Sequence, residues 1–134
     1  DILDFVTIAS TGDATDFGDL TAARGRAASI CSSTRGIMCG GETPSIVNTI
    51  DFFTIATTGN ATDFGDCITL VSQGAGGASN KTRGAFCVGY IAPAYTNAIQ
   101  FVTIATTGNS VDFGDNTVAG GRSYGFSDSH GGLS

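Results

Sequence analysis

The sequence predicts an all-β chain assembled from internal repeats, and three observations carry that reading. One segment recurs three times without gaps, at residues 4–19, 51–66 and 100–115. Apolar residues nowhere keep a 3.6-residue period over ten positions, so no helix is expected. The 134 residues include 20 Gly but only 2 Pro and no Trp, a composition rich in turns.

The middle copy reads Asp-Phe-Phe-Thr-Ile-Ala-Thr-Thr-Gly-Asn-Ala-Thr-Asp-Phe-Gly-Asp, and the copies end on Asp19, Asp66 and Asp115, 47 and 49 residues apart. A second stretch repeats between them: residues 33–41 match 81–89, and 48–50 match 97–99. The third copy is shorter, with 122–132 matching 26–36. This gives a single repeat domain over 1–134, with repeat 1 at about 2–49, repeat 2 at about 50–98 and a truncated repeat 3 at about 99–134.

Each period is expected to hold four short strands. The β-branched and aromatic run from Phe52 to Ala56 suits a strand covered on both faces. Thr58-Gly-Asn-Ala is turn chemistry, because Gly and Asn tolerate positive φ. Thr62 to Phe64 then forms a short return strand closed by Gly65 and Asp66. A small-residue strand is expected between Thr69 and Ser79, and another from Arg83 to Val88. Four strands in about 48 residues is the scale of a β-propeller blade.

The residues at this point resemble the kelch family. The match runs from an apolar strand through Gly40-Gly41 and a spacer to the strand Thr49-Ile-Asp-Phe-Phe, then to Phe64 where kelch repeats carry Trp, and on to a loop and an Arg (Arg26, Arg122). The chain departs from that pattern in having Val88-Gly89 for the second Gly pair and no Trp. The wording of the repeat, with its Thr-Ile-Ala-Thr-Thr-Gly-Asn and Thr-Arg-Gly steps, looks like the repeat proteins of marine cyanobacterial phages. That resemblance implies a virion structural or tail-fibre-like role.

A closed propeller needs at least four blades. Residues 3–19 read as the outer half of one blade and 118–127 as the inner strand of another. Blades completed between chains are therefore expected, in a head-to-tail homo-oligomer that closes into a ring or runs on as a filament. The competing architecture is a β-trefoil or β-prism, which would make the chain a small soluble lectin.

Composition narrows the function. Six Lys and Arg against 12 Asp and Glu give a net charge of −6, so no basic face for nucleic acid can be assembled. No apolar run approaches the ~20 residues of a membrane span. The lack of an initial Met marks a processed terminus or an excerpt. A single His removes most hydrolase and metal-enzyme schemes. Cys31, Cys39, Cys67 and Cys87 form no Cys-x-x-Cys pair and have no His nearby, which argues against zinc. Cys39 and Cys87 occupy equivalent positions, as small core residues would, so free buried thiols formed in a reducing cytoplasm are expected.

Asp13, Asp16 and Asp19 recur as Asn60, Asp63, Asp66 and as Asn109, Asp112, Asp115. Oxygen ligands three apart in a Gly-containing turn could hold Ca²⁺. The competing and preferred reading is that Asn and Asp cap the turn through their own backbone, with no cofactor. Asp-Phe-Gly occurs three times, but without a Gly-rich nucleotide loop, a strand Lys or a catalytic loop it is no kinase motif. The Asn60 and Asn80 glycosylation patterns are expected by chance in a Thr-rich repeat.

Arg35 and Arg83 share a Thr-Arg-Gly step. Either they line a rim and contact an anionic or sugar ligand, or, as preferred, each pairs with a carboxylate of a neighbouring Asp-Phe-Gly-Asp corner. His130 falls in a turn, where Ser127, Asp128 and His130 are adjacent in sequence but have none of the context of a triad. One His with Tyr90, Tyr95 and Tyr124 cannot build the copper centre some kelch proteins carry. Tyr90, Ile91, Pro93 and Tyr95 differ from the equivalent stretch beginning at Glu42. Variation on a constant frame is where repeat scaffolds place recognition, so Glu42, Tyr90 and Tyr95 are the leading binding candidates. The expected function is a non-enzymatic structural or adhesion module, virion-borne or extracellular, that binds a cell-surface glycan or another virion protein.

Overall fold

The computed structural model describes residues 1–72, 75–87, 89–91 and 93–125. Among these residues the chain is all-β, without a helix. Strands β1 (Ile2–Phe5) and β2 (Thr15–Asp19) pair as a hairpin. A four-stranded antiparallel sheet follows, ordered β3 (Ala28–Cys31), β4 (Arg35–Cys39), β7 (Thr49–Thr54) and β8 (Thr62–Asp66). The second such sheet is ordered β9 (Gly77–Ser79), β10 (Arg83–Cys87), β13 (Ala98–Thr103) and β14 (Val111–Asp115). Small hairpins interrupt each sheet after its second strand: β5 (Glu42–Thr43) with β6 (Ser45–Ile46), and β11 (Tyr90–Ile91) with β12 (Ala94–Tyr95).

The observed strand layout differs from the expected one. Each sheet straddles the predicted repeat boundary, because hydrogen bonding joins the end of one sequence repeat to the start of the next. The segments at Glu42–Ile46 and Tyr90–Tyr95, between the second and third strands of each sheet, form hairpins of their own. No strand forms over residues 118–125, where the inner strand of a further blade was expected; Phe126 and Ser127, like His130, lie outside the described residues. The strand expected from Phe52 instead begins at Thr49 and stops at Thr54, because Ile55 and Ala56 belong to the turn, where Thr57 N–H donates to Thr54 O.

The recurring Phe-Gly pair has a single structural cause. In each outer hairpin the register slips by one residue: Asp4 faces Asp16 while Leu3 faces Gly18, Asp51 faces Asp63 while Ile50 faces Gly65, and Gln100 faces Asp112 while Ile99 faces Gly114. Phe17, Phe64 and Phe113 are the extra residues, so each Asp-Phe-Gly is a β-bulge. The following Gly takes φ of 147°, 146° and 136°, a region that a side chain disfavours.

The sheets stack on one another. Ile30, Ile37, Cys39, Ile50 and Phe64 of the first share one core with Phe86, Val102 and Ile104 of the second, and Val71 fills it from the connection. Close approach fixes glycine at Gly84, where an added Cβ would lie 2.0 Å from Ile30 Cδ1. The open edge of β3 is closed by Ser79 of the next repeat, whose Oγ accepts from Cys31 N–H (3.3 Å) and donates to Cys31 O (2.6 Å). Covering edges in this way removes unpaired backbone groups that would template aggregation.

Candidate functional site

The residues that recur in every repeat converge on the joint between repeats. The turn joining β7 to β8 lies against the outer edge of β2. Gly59 N–H donates to Phe17 O and Ala61 N–H to Asp19 O, each at 2.7 Å. In return, Asp19 N–H donates to Asn60 Oδ1 at 3.1 Å. One repeat later the same bonds recur: Gly108 to Phe64 O (2.7 Å), Ser110 to Asp66 O (2.9 Å), and Asp66 N–H to Asn109 Oδ1 (3.0 Å). The packing is as tight as the bonding. A Cβ on Gly18 would sit 2.4 Å from Gly59 O, and one on Gly65 would sit 2.6 Å from Gly108 O. Phe17 meets the Phe53 ring edge-on at 5.2 Å.

The proposed oxygen ligands therefore divide by role. Asn60 and Asn109 bond the neighbouring repeat, not their own turn, which corrects the expected self-capping. Asp16 does cap locally, accepting Gly18 N–H at 3.1 Å. Asp19 and Asp66 contribute backbone groups to the joints, and Asp13, Asp63, Asp112 and Asp115 are exposed. Among the described residues, no three His, Cys, Asp or Glu side chains gather as a metal site would require.

Arg35 and Arg83 do not pair with the Asp-Phe-Gly-Asp carboxylates. Arg35 lies over the Phe52 ring at 4.6 Å and donates from NH1 to Ile104 O (2.9 Å), just after β13 of the second sheet. Arg83 lies over Phe101 at 5.1 Å. The strand pairing explains this. Arg35 faces Thr54 and Arg83 faces Thr103 at the start of their strands, beside aromatic faces that attract a cation.

Of the two ion pairs among the described residues, the buried one joins Arg24 and Asp51, to which the sequence reading assigned no role. Arg24 NH2 meets Asp51 Oδ2 at 2.8 Å with both side chains fully buried, and Thr21 donates to Asp51 from N–H (3.0 Å) and from Oγ1 (2.7 Å). Arg24 Nε and NH1 find no acceptor among the described residues. The next repeat replaces the charged pair: Gln100 accepts Thr69 N–H (3.2 Å) and donates to Thr69 O (2.7 Å), with Ser110 Oγ on Oε1 (2.6 Å). The bonding of Thr21 to Asp51 and of Thr69 to Gln100 makes these positions equivalent, which places Ser72 where the first repeat has Arg24.

Glu42 is engaged by Arg26 NH1 at 2.7 Å and by Ser72 Oγ at 3.3 Å. Tyr90 and Tyr95 face each other across β11 and β12 with rings 5.2 Å apart at 60°; Tyr95 is 54% exposed. A cleft of about 130 Å³ opens between the Phe52–Thr54 end of β7 and its turn at Thr57–Asn60.

All four thiols are free, as expected, but only Cys39 and Cys67 are buried. Burial pushes the Cys67 thiol up to about 12, with Asp66 adding to the rise and Arg24 opposing it. Burial and Cys67 raise Cys39. Cys87 is half-buried and Cys31 exposed. Comparison with protein-family models and with curated protein sequences gave no match.

Proposed function

We propose that this chain is a non-enzymatic structural and adhesion module, carried on a virion or similar extracellular appendage. It holds variable hairpins on a rigid stack of repeats. One observation carries this: the recurring Gly-Asn and Phe-Gly-Asp steps bond one repeat to the next, whereas the hairpins at Glu42–Ile46 and Tyr90–Tyr95 differ in sequence from each other. In this reading the four-stranded sheets are kelch-like propeller blades. Copies join head to tail into a ring or filament, and the module needs no cofactor.

The exposed face of Tyr95, backed edge-on by Tyr90, suits stacking on a sugar ring or anchoring a protein contact. A glycan array probed with the wild-type chain and with Tyr90→Ala/Tyr95→Ala tests this. The reading expects glycan signals that the double variant loses while its melting temperature holds, and a melting temperature that calcium and EDTA leave unchanged. Glycan binding that survives the double variant would remove these hairpins from the site.

A further inference from the structure

We infer that the outer edge of β14 is a docking surface for a second copy of this chain, whose turn at residues 7–14 remakes there the joint formed twice within the chain. This rests on the self-association proposed above and names its contacts.

The β14 edge is built like the two edges already covered. It has the same bulge, the same Phe-Gly-Asp residues and the same positive φ at Gly114. Its exposure differs. Phe113 is 57% exposed, against 9% for Phe17 and 2% for Phe64. Among the described residues no atom lies within 4 Å of a Cβ built on Gly114, where Gly18 and Gly65 are met by the next repeat's backbone. Among the described residues no backbone donor reaches Phe113 O or Asp115 O.

The other end of the stack carries the matching half. Gly12, Asp13 and Ala14 align with Gly59, Asn60, Ala61 and with Gly108, Asn109, Ser110. Val6 and Ile8 are 57% and 97% exposed, whereas their equivalents Val102 and Ile104 are each 2% exposed. In the docked pair, Gly12 N–H donates to Phe113 O and Ala14 N–H to Asp115 O. Asp115 N–H donates to an Asp13 carboxylate oxygen, and Phe113 packs on Val6 as Phe17 packs on Phe53. The two surfaces are different, so one copy offers each half and the contact propagates head to tail.

Charge sets this joint apart from the internal ones. Asp13 stands where both internal joints have a neutral residue, Asn60 or Asn109, and it approaches an edge that carries Asp112 and Asp115. Like-charge repulsion weakens the joint between copies, and salt screens it.

Sedimentation equilibrium of the 134-residue chain over a concentration series tests the inference. The wild-type mass should rise with concentration and with salt. Asp13→Asn, which copies the internal joints, should lower the dissociation constant several-fold. Asp13→Ala and Phe113→Glu, both at exposed positions, should leave single copies with an unchanged fold by circular dichroism. Single copies for wild type and Asp13→Asn at millimolar concentration would overturn the inference. Association that Asp13→Ala and Phe113→Glu leave intact would overturn this joint while sparing self-association through another surface.

Discussion

Asn60 Oδ1 accepts the backbone N–H of Asp19 at 3.1 Å across 41 residues of sequence, and Asn109 does the same for Asp66. The side chain that looks like a turn cap, or a metal ligand, ties one repeat to the one before it. Only its acceptor oxygen is used. Asn109→Ala should therefore cost about 1 kcal/mol, the usual net worth of such a bond, whereas Asn109→Asp should cost clearly less. Urea unfolding of the two variants checks the order.

Gly65 and Gly114 share a backbone conformation but not a neighbour. Alanine at either pays the strain of positive φ, about 1–3 kcal/mol. Only Gly65→Ala also drives a methyl into the Gly108 backbone, adding roughly 1–3 kcal/mol of overpacking. Midpoints of chemical unfolding should show Gly65→Ala as the more damaging of the two.

The Arg24–Asp51 pair and its replacement in the next repeat invite a swap. Arg24→Ser alone strands a buried carboxylate and should cost about 3–5 kcal/mol. Asp51→Gln combined with Arg24→Ser and Ala61→Ser copies Gln100, Ser72 and Ser110, and should recover most of that loss. A triple variant as unstable as Arg24→Ser would show that the two sites are not interchangeable.

The buried thiols make stability fall in alkali. Their folded pKa values lie above the ordinary value of 9.0, Cys67 at about 12 and Cys39 raised as well. Between pH 9 and 12 the unfolded chain loses protons that the native chain keeps. Stability is then complete below about pH 9 and falls by about 1.4 kcal/mol per pH unit for each thiol. Cys67→Ala should flatten that slope by one thiol's share in denaturant titrations from pH 8 to 11. In the native state Cys31 should alkylate first and Cys67 only on unfolding.

Much of the fold could be read from the sequence because it lies in local chemistry. The threefold recurrence, the strand at Arg83, and the turn at Thr58-Gly-Asn all follow from propensities that act within a few residues. The roles of Asn60, Arg35 and Asp51 could not be read in this way, because their partners lie 41, 69 and 27 or more residues away. Sequence spacing within one turn made Asp13, Asp16 and Asp19 look like a single site, but the bulge at Phe17 turns successive positions toward different neighbours.

Residue-resolved amide hydrogen exchange tests the central claim most directly, namely that the repeated Gly-Asn and Phe-Gly-Asp steps hold neighbouring repeats together. The Asp19, Asp66, Gly59, Ala61, Gly108 and Ser110 amides should all be strongly protected, and Asn109→Ala should release Asp66 ahead of Asp19. Rapid exchange at Asp66 and Gly108 in the wild-type chain would contradict the account.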